Sequence, residues 1–134
     1  MSLSDEERKT LVSLKLQKAH DAYEDLVVLR QAGRWSGAAN RLYYTVFHAV
    51  NALFIHDGIQ SNTHKGSYAL FSLHYIKTGL LPADFGRLYN NLQTLREKSD
   101  YNCYYNVTEE EISEGIDLAG RFIEAIENKV NVES

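Results

Sequence analysis

The chain has 134 residues, 44% of them hydrophobic and 24% charged. That is one domain's worth of sequence, long enough to bury roughly two thirds of its unfolded surface without staples. A net charge of −4 excludes the overall basic signature of a general nucleic-acid binder but leaves room for a local basic site. The single Cys103 excludes an internal disulfide, no apolar run reaches membrane-spanning length, and the N-terminus lacks a signal-like core. The expectation is a soluble cytoplasmic protein.

Ser4-Asp5-Glu6-Glu7 has the form of a capping box, and the spacing predicts a helix running to about Gln31. Its apolar face is Val12, Leu16, Ala19, Tyr23, Leu26 and Val27, with Lys15 and Lys18 mostly elsewhere on the wheel. Gly33 suits the C-terminal cap, and Gly33-Arg34-Trp35-Ser36 reads as a short turn that lays a second helix antiparallel beside the first. That second helix should close at His56-Asp57-Gly58. Gln60 to Gly66 reads as a polar loop, followed by a helix carrying Tyr68, Leu70, Phe71, Leu73 and Tyr75 and ended by Thr78-Gly79. Pro82 opens a fourth helix with Phe85, Leu88, Tyr89, Leu92 and Leu95, closing near Arg96–Asp100. The Asn- and Tyr-rich stretch from Tyr101 to Asn106 should be irregular. Thr108-Glu109-Glu110-Glu111 is a second capping box, and Ile112, Ile116, Ala119, Phe122, Ile123 and Ile126 form the face of the last helix. With one Pro and eight Gly, the pattern predicts an all-α, antiparallel up-and-down bundle of four to five helices.

The most apolar and aromatic run, Asn40 to Phe54, is the centre of that bundle. Tyr43, Val46, Phe47, Val50 and Phe54 fall on its packing side. Arg41, Tyr44, His48 and Asn51 follow one another at intervals of three, four and three residues, which puts them in one stripe on one helical face. A guanidinium keeps its charge, so a partly buried Arg41 needs an acidic partner or an anionic ligand. Histidine exchanges protons near neutral pH, so His48 beside Arg41 and the phenol of Tyr44 could serve phosphodiester chemistry without a metal. Against this stands the plainer reading, in which the stripe only buttresses neighbouring helices.

Two further groups carry chemistry. Arg96 and Asp100 are four residues apart and can pair at the end of the fourth helix, with Tyr101 next to them. His64 and Lys65, beside Gly66, could meet a phosphate, although a solvated loop is the commoner outcome. His20, His56 and His74 have no companions at metal-ligand spacing, and neither phosphate-loop nor dinucleotide motifs occur, so no metal and no cofactor is called for.

Arg41-Leu42-Tyr43-Tyr44-Thr45-Val46-Phe47-His48-Ala49 resembles the R-x-Y-Y-x-x-F-H-A signature of HEPN domains, the helical family named for higher eukaryotes and prokaryotes nucleotide binding. His64-Lys65-Gly66 is similar to that family's loop after the second helix, and Leu95-Arg96-Glu97-Lys98-Ser99-Asp100-Tyr101 to its L-R-x-x-A-D-Y ending, with Ser99 for Ala. The resemblance spans nearly all of residues 1–134. It implies a four- to five-helix bundle, commonly a homodimer, that binds a nucleotide or RNA phosphate and works in a toxin–antitoxin-like system or with a nucleotidyltransferase partner. Tyr44, His64, Lys65, Arg96, Asp100 and Tyr101 would then bind the ligand. It equally implies a metal-independent endoribonuclease, whose motif is Arg, four to six residues, then His. Arg41 and His48 fit that spacing and would be catalytic. In ribonuclease members the motif lies later, nearer Arg96, where Asp100, Tyr101, Asn102 and Cys103 follow instead of a histidine. A structural dimerisation module is the third reading.

Overall fold

The computed structural model describes residues 3–133. Five helices make up an all-α bundle: α1 (Asp5–Gln31), α2 (Trp35–Asp57), α3 (His64–Phe71), α4 (Ala83–Tyr101) and α5 (Glu109–Glu133). Both capping boxes form. Ser4 Oγ accepts from Glu7 N at 3.1 Å while Glu7 accepts from Ser4 N, and Thr108 and Glu111 repeat the arrangement before α5.

Gly33 ends α1 as the spacing predicts. Its φ of +73° lets Gly33 N donate to Arg30 O and Arg34 N to Leu29 O, the paired bonds of a Schellman ending. The link to α2 is shorter than the sequence pattern indicates, because Trp35 and Ser36 already belong to the helix. This tight connection folds α1 and α2 into a hairpin.

α2 is the central helix, packed by α1, α4 and α5. Leu42, Tyr43, Val46, Ala49, Val50 and Leu53 are fully buried and meet Leu26, Leu92, Ile112, Ile116 and Phe122 in one core. Each large side chain there contributes about 1.5–3 kcal/mol by leaving water. Small residues bring α5 close: a Cβ on Gly115 would lie 3.1 Å from Leu42 Cδ2.

The region after α2 departs from expectation. The polar stretch from Gln60 is irregular only to Thr63, and His64 and Lys65 form the first turn of α3 instead of a loop. Thr63 is the reason: its hydroxyl accepts from Gly66 N at 2.8 Å, and a Cβ on Gly66 would sit 2.7 Å from that oxygen. The helix then widens into a π turn over Ser72–Ile76, with Lys77 N reaching Ser72 O. Phe71, just before the widening, and Tyr75, within it, are both buried.

Candidate functional site

Arg41, Tyr44, His48 and Asn51 are all half-buried along one edge of α2, as the three-and-four spacing requires. Arg41 uses Nε and Nη2 to donate to Asn40 Oδ1 at 3.0 and 2.7 Å, and among the described residues no carboxylate pairs with it. Its guanidinium stands 5.2 Å from the centre of the Tyr44 ring. From α4, Arg96 reaches the same surface, 5.0 Å from the Tyr43 ring and 5.9 Å from the Tyr44 ring. Two guanidiniums from different helices thus share one aromatic platform, each within cation–π range. Arg96 Nε is buried without a hydrogen bond; Asp100 Oδ2, at 3.6 Å, is too far for one but near enough to hold the charge.

His64 completes the platform. At the start of α3 its ring lies nearly parallel to Phe47, with centroids 4.3 Å apart, and edge-on to Tyr44 at 6.1 Å. Its Nδ1 is 2.7 Å from the hydroxyl of Tyr43, a residue with no exposed surface. Burial and then the Arg96 charge lower the His64 pKa, while burial raises that of Tyr43 to about 12. At neutral pH Tyr43 is a phenol and His64 a neutral ring.

His48 sits one turn beyond Tyr44, ring centroids 5.6 Å apart. Its pKa is lowered to about 4, first by burial and then by the charges of Lys15, Lys18 and Arg41. Its Nδ1 is buried without a hydrogen-bond partner among the described residues. Neutral His48 can accept a proton, and an arriving phosphate would strengthen it as a base.

Arg41, Tyr44, His48, His64, Arg96 and Asp100 therefore come together. Lys65 is exposed on the first turn of α3 and Tyr101 is 79% exposed at the end of α4; neither joins the ring and hydrogen-bond contacts described above. Four participants were not singled out by the sequence pattern. Helical spacing puts Phe47 on the packing face, yet it is only part-buried and carries His64. Tyr43 looks like core and is core, but its hydroxyl serves the site. Lys15 and Lys18 read as a solvated face of α1, and only the α1–α2 hairpin brings their charge to His48. A fully buried tyrosine calls for a polar partner, but the sequence does not say which residue supplies it.

Elsewhere, a groove of about 720 Å³ lies between α1, the end of α2 and α5, lined by Arg8, Leu16, His20, His56, Glu127 and others. There His20 and Glu127 pair at 2.9 Å. Among the described residues no three of His, Cys, Asp and Glu converge as a metal site, and no helix is long and apolar enough to cross a membrane.

Comparison with known proteins finds a family and several relatives. A UPF0332 protein of Thermotoga maritima is 29% identical over 124 residues, covering 92% of this chain and 94% of its own. A UPF0332 protein of Archaeoglobus fulgidus is 28% identical over 120 residues, 90% of this chain and 95% of its own. A protein of Methanocaldococcus jannaschii named as a candidate toxin is 32% identical over 89 residues, 66% of each chain. The HEPN domain model matches residues 12–129, and the chain belongs to the HEPN domain family.

Proposed function

We propose that the chain binds an RNA or nucleotide phosphate through Arg41 and Arg96, as the toxin-like component of a toxin–antitoxin system. The observation that carries this is the convergence of two guanidiniums from α2 and α4 on the Tyr44 ring, with Arg41 hydrogen-bonded, among the described residues, to a neutral amide alone. Arg41 has no carboxylate partner among the described residues, and Arg96 has only Asp100 at 3.6 Å, so two cations beside one ring leave positive charge for an anion to meet. The flat rings of Tyr44, Phe47 and His64 suit a single-stranded nucleic acid or a nucleotide, whose bases stack without demanding a sequence. Relatives named as candidate toxins support the system; a homodimer and a nucleotidyltransferase-type partner belong to the same reading.

A second reading makes the site an endoribonuclease. It is favoured by His48, neutral and within reach of Arg41's field. In that reaction the 2′-oxygen attacks phosphorus and its proton passes to His48 Nε2. The bond to the 5′-oxygen breaks, and the departing oxygen takes a proton from water. Arg41 stabilises the charge that develops on the phosphoryl oxygens.

Both readings are tested by binding and cleavage of single-stranded RNA in EDTA, using wild type, Arg41→Ala, Arg96→Ala and His48→Ala. Binding that both arginine variants lose supports the phosphate site. Cleavage that His48→Ala abolishes while binding persists supports the enzyme. RNA and nucleotide binding equally strong in all four proteins would refute the phosphate site, and absent cleavage, or cleavage unchanged in His48→Ala, would refute the enzyme.

A further inference from the structure

We infer that Tyr43 is a positioning residue, which fixes His64 in one tautomer so that Nε2–H is the donor offered to a phosphate oxygen beside Arg96. The inference rests on the phosphate-binding reading above and adds a second, uncharged contact to it.

The argument is one of hydrogen-bond satisfaction. Tyr43 is fully buried, and among the described residues its hydroxyl has one hydrogen-bond partner, His64 Nδ1 at 2.7 Å. A phenol carries one donor and accepts as well; a neutral imidazole has one nitrogen of each kind. If Nδ1–H donated to Tyr43, the phenolic hydrogen would be left unpaired in the core, which costs more than a hydrogen bond returns. The stable arrangement has Tyr43 donating and Nδ1 accepting. His64 then carries its proton on Nε2. Phe47 fixes the ring plane by parallel stacking, and the capped first turn of α3 fixes the backbone. Burial and Arg96 keep the ring neutral, so it binds as a donor and not as a second cation competing with Arg96. The sequence alone gives no hint of this link, since Tyr43 and His64 lie 21 residues apart on different helices.

The test measures binding of a labelled oligouridylate and of ATP at fixed ionic strength, with the imidazole nitrogen shifts of His64 read by NMR in the free protein. Tyr43→Phe keeps the ring and removes the hydroxyl. It should weaken binding about threefold, against about tenfold for His64→Ala. His64→Gln retains a side-chain N–H that does not depend on Tyr43; it should lose less than His64→Ala, and Tyr43→Phe should add nothing further on that background. In the free protein the His64 nitrogens should read as one hydrogen-bonded tautomer, which Tyr43→Phe loosens into a mixture. Unchanged nitrogen shifts in Tyr43→Phe would overturn the inference even where both probes bind. An additive loss in the double variant would overturn it too, by showing that Tyr43 acts on packing alone. Failure of wild type to bind either probe would remove the phosphate reading itself, whatever the nitrogen shifts show.

Discussion

Replacing His48 by Gln should change how stability depends on pH. In the folded chain the imidazole is held at a pKa of about 4 by burial and by Lys15, Lys18 and Arg41, against about 6.5 in an unfolded chain. The unfolded state therefore binds a proton more readily than the folded state. Stability associated with neutral His48 is fully present above about pH 6.5, declines as the pH falls, and is gone below about pH 4. For a fully buried group this interval would correspond to about 3 kcal/mol; His48 is only half-buried, and solvent screening reduces it to about 1–2 kcal/mol. The assay is urea denaturation of wild type and His48→Gln at a series of pH values from 4 to 7.5. Wild type should lose about 1–2 kcal/mol more than the variant over that range, equivalent to roughly 4–10 °C in Tm. A difference between the two proteins that stays constant with pH would refute the reasoning, as would an NMR titration of His48 near 6.5.

Three other outcomes are expected. Arg41→Ala and Arg96→Ala should each weaken RNA binding about 10- to 100-fold, and each should lower the slope of log affinity against log salt by about 0.7 for one lost phosphate contact; fluorescence anisotropy across a salt series reads both. Thr63→Ala should cost about 1 kcal/mol in chemical denaturation and weaken ligand binding with it, because the cap positions His64; Thr63→Ser should restore both. Gly115→Ala should destabilise by about 1 kcal/mol despite the better helix propensity of alanine, since its Cβ meets fully buried Leu42 at 3.1 Å with Leu88 and Leu92 behind; a higher melting temperature would show that these leucines can yield.

Much of this molecule is legible in the residues themselves. Capping boxes, glycine endings and the three-and-four spacing of apolar residues act within one or two turns, so they locate α1, α2, α4 and α5 before any contact is known. The stripe of Arg41, Tyr44 and His48 follows from the same short-range geometry. α3 is less legible, because its start depends on a single hydroxyl of Thr63 and its end widens into a π turn that contains the buried Tyr75. The assembly of the site lies beyond local pattern altogether. Arg96 meets Tyr44, His64 lies on Phe47, and Lys15 and Lys18 act on His48 only because α2 packs against α1 and α4, with α3 following it in the chain. Helical periodicity assigns a side chain to a face. Which charges that face will meet, and how dry the meeting place is, depends on packing between residues far apart in the chain, and those two quantities set the protonation of His48 and His64.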